Sequence, residues 1–306
     1  MFKKILVPVD GSELAEQAME PALALAANAC GQIFLLRIPI LSTALTAVHA
    51  EFGAALPIEA SLKEVRDDAQ AYLDGLIERY QRPNVTLTLL VAEGDVAGTI
   101  VDTAVAHNVD LIVMSTHGYS GATRWLLGSI AEKVLRSAPR PVFIVRSTAL
   151  IRKLLITLDG SELAERALQP GLAMAESLGA AICLLRVEPE AMINPLEFAA
   201  LEQAASGLGQ QLQESAMANA QNYLDTIAAK LNKSDVTAKT AVLQGPAARN
   251  ILDFSENEGV DLVVMATHGR TGLRRWVYGS VTERVLHGLH CDCAMLVVRV
   301  PDEALQ

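Results

Sequence analysis

The heptapeptide Asp10-Gly11-Ser12-Glu13-Leu14-Ala15-Glu16 recurs unchanged as Asp159 to Glu165, 149 positions later. A second stretch, Asp110-Leu111-Ile112-Val113-Met114-Ser115-Thr116-His117-Gly118, is answered by Asp261-Leu262-Val263-Val264-Met265-Ala266-Thr267-His268-Gly269 at an offset of 151. Val145-Arg146 is answered by Val298-Arg299 at an offset of 153. The second copy has therefore gained two residues ahead of Asp261 and two more after Gly279, around His287 to Cys293. Two long copies with local insertions indicate a duplicated domain, because a solenoid needs at least three short repeats. The boundary falls near Ser147 to Ile151 and divides the 306 residues into domains 1–148 and 149–306.

Within each copy the hydrophobic pattern alternates between short β-branched runs and helical periodicity. In the first, Ile5 to Val9, Ile33 to Ile38, Val85 to Val91, Leu111 to Met114 and Val142 to Arg146 are predicted strands. Leu14, Ala18 and Leu25 predict one helix that ends at Gly31. Leu62, Val65, Ala69, Tyr72, Leu73 and Leu76 predict another, reaching Tyr80; Val96 to Ala106 and Ser129 to Leu135 complete the set. The second copy repeats the strands at Leu154 to Leu158, Ile182 to Val187, Val236 to Val242, Leu262 to Met265 and Ala294 to Val300. Five strands separated by four helices, with the central strands apolar throughout, describe an α/β fold: an open, doubly wound, Rossmann-like parallel sheet covered on both faces. The most divergent stretch, Glu188 to Glu214 with Gly207 and Gly209, is expected to be mobile and to act as a lid.

Composition narrows the function. A formal charge of −10 disfavours polyanionic partners, so general nucleic-acid and membrane-surface binding are not expected. Aromatic residues make up only 4% of the chain, which argues against a base-stacking platform. Four cysteines are too few for a disulfide framework, and no apolar run approaches a membrane span, so a soluble, cytoplasmic protein is expected.

Ligands of such sheets bind beyond the carboxyl ends of the strands, where strand order reverses. Pro8-Val9-Asp10 and Thr157-Leu158-Asp159 follow the first strand of each copy. After the fourth strand come Ser115-Thr116-His117-Gly118, nine residues and Gly128-Ser129; the second copy has Ala266-Thr267-His268-Gly269, nine residues and Gly279-Ser280. A glycine that admits close backbone approach, followed by a Gly-Ser at a helix N-terminus, makes an anion site for which phosphate is the natural ligand. Ser129 alone would also serve as an N-cap, as would Asp10 and Asp159 ahead of their helices.

These residues resemble the universal stress protein (UspA-like) family in its tandem two-domain form, over nearly the whole chain. Its nucleotide-binding members carry Gly-x-x-Gly, nine residues, then Gly-Ser or Gly-Thr. Gly118, Gly128 and Ser129 match, as do Gly269, Gly279 and Ser280, while Ser115 and Ala266 replace the first glycine. The resemblance implies an adenine nucleotide alpha-hydrolase-like domain binding ATP, or ADP or AMP, with Mg²⁺ bridging phosphates. It implies that Asp10 and Asp159 face the adenosine moiety and that Ile38 and Val187 pack on adenine. It extends the expected contacts to Met114 and Met265 at the strand ends and to Ile130 and Val281 after the serines; His117 and His268, beside the expected phosphates, are read as positional hydrogen-bond donors rather than as acid or base. It also implies an intrachain pseudo-dimer through the last strands, leaving open a homodimer of whole chains.

Arg270, Arg274 and Arg275 add cations near the second phosphate loop, where the first copy has Arg124. No Gly-Lys dipeptide, dinucleotide fingerprint or Gly-x-Ser-x-Gly occurs, which excludes a P-loop and a hydrolase elbow. His287, His290, Cys291 and Cys293 offer two imidazoles and two thiols for a metal, but their spacing fits no standard finger and reads more simply as a loop. A nucleotide-binding stress regulator is the favoured function. A scaffold with decayed sites is the alternative, and a slow ATPase ranks last because no base, nucleophile or catalytic lysine is evident.

Overall fold

The computed structural model describes residues 2–39, 58–116, 127–189, 208–232, 237–268, 279–290 and 292–300. The chain divides into two compact units, Met1–Thr148 and Ala149–Gln306.

In the first unit β1 (Lys4–Val9) pairs in parallel with β2 (Gln32–Arg37) and β4 (Leu111–Ser115). β3 (Thr86–Val91) lies outside β2, and β5 (Val142–Val145) outside β4, giving the order β3-β2-β1-β4-β5. Among the described residues the helices are α1 (Glu13–Glu16), α2 (Met19–Asn28), α3 (Ile58–Tyr80), α4 (Val96–Ala106) and α5 (Ser129–Ser137). Ile5, Leu6, Val7, Ile33, Leu35, Ile112 and Val113 are fully buried, as strands covered by helices on both faces must be.

The second unit repeats this plan. β6 (Lys153–Thr157) pairs with β7 (Ala181–Glu188) and β9 (Leu262–His268), flanked by β8 (Ala238–Gln244) and β10 (Ala294–Val300). Its helices are α6 (Glu162–Glu165), α7 (Leu168–Leu178), α8 (Leu208–Leu231), α9 (Ala247–Asn257) and α10 (Ser280–Gly288). The registers locate the insertions. Ile33 faces Leu87 and Ile182 faces Ala238, offsets of 149 and 151, so the first gain lies between β7 and β8. Ile112 faces Val142 and Val263 faces Met295, offsets of 151 and 153, so the second lies between β9 and β10.

Two expectations are corrected, and a third lies largely outside the described residues. The single helix after β1 is two, α1 and α2, because Pro21 has no N–H to offer Gln17 and its ring crowds that carbonyl. The backbone tightens instead, with Gln17 N donating to Leu14 O and Ala18 N to Ala15 O. Pro170 breaks the second copy in the same place, between Glu165 and Leu168. Gly31 does not stop α2 by itself: the left-handed residue after the helix is Cys30, at φ 47°, where the second copy has Gly179 at φ 65°. The expected lid from Glu188 to Glu214 lies outside the described residues between 190 and 207. From Leu208 it is helix, with Gly209 buried inside it, because Ala220, Leu224, Ile227, Ala228 and Leu231 form a buried stripe at helical spacing.

Candidate functional site

The turn after β1 is set by the repeated Asp-Gly-Ser. Gly11 and Gly160 stand at φ 87° and 85°, a left-handed conformation that favours glycine. Asp10 Oδ1 accepts from Ser12 N at 3.0 Å and Ser12 Oγ at 2.6 Å; Asp159 Oδ1 accepts from Ser161 N at 2.9 Å. The helix caps are the serines: Ser12 Oγ accepts from Ala15 N and Ser161 Oγ from Ala164 N, both at 3.1 Å. The aspartates are thus not N-caps, which corrects that reading, and each is held at the mouth of the strand edge by its own loop.

A guanidinium backs this loop in the second unit. A Cβ on Gly160 would lie 2.7 Å from Arg186 Nη1, so the guanidinium packs close against the glycine. Arg186 pairs with Glu188 at 2.6 Å and lies 5.1 Å from the Tyr223 ring centroid, and Tyr223 Oη donates to Glu165 at 3.0 Å. The first unit repeats the device with Arg37, Tyr72 and Glu16, at 5.7 Å and 3.0 Å. Burial, then the adjacent glutamate, holds both phenols well above the usual tyrosine range.

The helices that follow the fourth strands start differently from α1, α4 and α6. α5 and α10 begin at Gly128 and Gly279, and neither start has a side-chain cap, unlike α1, α4 and α6. Ser129 is therefore the first helical residue rather than the cap. The first-turn N–H groups of α5 and α10 have no intrahelical acceptor and carry the positive end of the helix dipole. Gly128 N donates to Thr116 O at 2.7 Å, and Gly279 N to Thr267 Oγ1 at 3.5 Å, which ties each helix start to the end of its fourth strand.

In the second unit these pieces enclose a cavity of about 250 Å³. Thr157 and Leu185 are in register and share a sheet face, and Val187 lies two residues beyond. Met265 and Thr267 continue that wall on β9, while Ala247 and Ile251, four apart on α9, close it. Of the residues anticipated from sequence, Thr157, Leu158, Asp159, Val187, Met265, Ala266, Gly279, Ser280 and Val281 all line this one cavity. The side chain of His268, and Gly269, Arg270, Arg274 and Arg275, lie outside the described residues. Leu163, Ala164, Leu185, Ala247, Ile251, Thr267 and Thr282 also line it and were missed. Leu185 was legible from its alternation with Val187; the α9 pair comes from an element remote in sequence and carried no motif.

In the first unit Pro8 and Val9 end β1, and Asp10 follows. Ile38 follows β2 and is buried, Met114 and Ser115 end β4 and are buried, and Gly128, Ser129 and Ile130 open α5. All border the same edge of the β1–β4 switch point. His117, Gly118 and Arg124 lie outside the described residues. Among the described residues no cluster of three His, Cys, Asp or Glu side chains could hold a metal ion. His287 is exposed on α10, Cys293 is buried against its own backbone, and Cys291 lies outside the described residues.

The universal stress protein family profile matches residues 1–146 and again 150–299. The chain belongs to the universal stress protein family. One relative, the universal stress protein Slr1230 of Synechocystis, is 24% identical over 310 residues, covering 93% of this chain and 96% of its own. The shorter MJ0531 of Methanocaldococcus jannaschii is 31% identical over 152 residues, covering 50% of this chain and 84% of its own. In fold, the chain is similar to the crystal structure of a universal stress protein from Archaeoglobus fulgidus, with a TM-score of 0.70, 18% identity and coverage of 98% and 99%. No helix among the described residues is long and apolar enough to cross a membrane.

Proposed function

We propose that this member of the family is a nucleotide-binding regulatory protein, taking ATP or a related adenine nucleotide at the strand edge of each unit. The observation that carries the reading is the cavity of the second unit, in which an aliphatic wall, one carboxylate and an uncapped helix N-terminus converge. Leu158, Val187 and Met265 supply apolar surface for a purine face, and Asp159 can accept from a ribose hydroxyl or the adenine amino group. The first-turn amides of α10, after Gly279, suit phosphoryl oxygens. At about 250 Å³ the cavity is slightly below the roughly 300–1,000 Å³ of small-molecule sites, which fits a nucleoside held inside with its phosphates outward over α10. Among the described residues Asp159 is the only carboxylate of the lining, and Mg²⁺ would come in bridging the phosphates of the nucleotide.

The test is to purify the intact chain without added nucleotide, denature it, identify released small molecules by mass spectrometry, and then titrate the nucleotide-free protein with ATP. The proposal expects an adenine nucleotide or saturable ATP binding. Neither would leave the scaffold reading in its place.

A further inference from the structure

The cavity lining of the second unit carries the hydroxyls of Thr157 and Thr282. Thr157 is 8% exposed and Thr282 is 4% exposed, and both line the cavity. A hydroxyl on a cavity lining can donate one hydrogen bond to a bound molecule and accept others from it. Thr157 ends β6 on the face it shares with Leu185. Thr282 lies in the first turn of α10, its Oγ1 3.9 Å from where a Cβ on Gly279 would stand. At the corresponding positions, by the offsets of 149 and 151, the first unit has Pro8 and Ala131, neither of which carries a hydrogen-bonding side chain.

We infer that the two sites of the chain are not equivalent, and that the hydroxyls of Thr157 and Thr282 read polar atoms of an adenine nucleotide in the second unit that the first leaves unread. Thr282, beside the uncapped start of α10, donates to a phosphoryl oxygen. Thr157, two residues before Asp159, hydrogen-bonds the nucleoside. This rests on the nucleotide reading above and adds the residues by which one site is distinguished from the other.

The test uses the full chain carrying Gly128→Val, so that only the second site remains, with ATP and adenosine as probes in isothermal titration. Thr157→Val is expected to weaken both probes by about three- to tenfold, the worth of one hydrogen bond. Thr282→Val is expected to weaken ATP by a similar factor and leave adenosine within twofold. Thr157→Ser and Thr282→Ser, which keep the hydroxyl, are expected to restore the parent affinity, which a loss of packing would not allow. In the opposite background, Gly279→Val, neither valine changes ATP binding at the first site. If the Gly128→Val chain binds one ATP and both valine variants bind it within twofold of the parent, the inference is overturned while the nucleotide reading stands. Absence of saturable ATP binding by the unsubstituted chain overturns both.

Discussion

At the scale of single residues the two copies differ in ways that a repeat alignment exposes and chemistry explains. Cys30 holds φ 47° at a helix end where its counterpart Gly179 holds φ 65°. A side chain in that region costs about 1 kcal/mol or more. Cys30→Gly is therefore expected to stabilise the first unit by about 1 kcal/mol, read as an upward shift of the urea unfolding midpoint; no shift would mean that the left-handed residue is not strained. Gly31 stays glycine for a different reason, since a Cβ there would lie 2.8 Å from the Lys3 carbonyl. The strand residues of the site were legible because they abut a repeated motif: Asp10, Asp159, Gly128 and Gly279 are marked twice in the sequence. Thr282 was not, because nothing in a helical threonine announces that it lines a cavity.

At the scale of elements the sheet was readable almost strand by strand, since parallel strands buried on both faces stand out as continuous apolar runs. The expected Val236 to Val242 strand runs instead from Ala238 to Gln244, and the break between α1 and α2 was passed over although Pro21 and Pro170 carry it. The Arg-Tyr-Glu fastenings were invisible because their members come from three separate elements. They carry a pH signature. Tyr72 and Tyr223 each donate to a glutamate in the folded chain, and their pKa values are raised by burial first. The unfolded phenols ionise near pH 10 while the folded ones remain protonated, so this stabilisation is complete below about pH 10 and falls as pH rises above it. Urea midpoints measured at pH 8 and pH 10.5 are expected to drop for the unsubstituted chain and to drop less for Tyr72→Phe with Tyr223→Phe. Equal drops would remove the tyrosines from the account.

At the scale of the whole molecule, duplication gives one chain two strand edges of the same construction and slightly different chemistry. The net charge of −10 that disfavours polyanions does not oppose a small anion, because α5 and α10 present uncapped amides locally. A valine at Gly128 or Gly279 is expected to fill the space in front of those amides. Both glycines have extended, non-left-handed backbone, and among the described residues a Cβ on Gly279 would meet nothing closer than Thr282 Oγ1 at 3.9 Å. The number of ATP molecules bound per chain, measured by equilibrium dialysis at saturation, therefore tests the central claim most directly. Two for the unsubstituted chain, one for Gly128→Val or Gly279→Val alone and none for both together is the predicted result. A count that both glycine substitutions leave unchanged, or no binding to a folded chain, would contradict it.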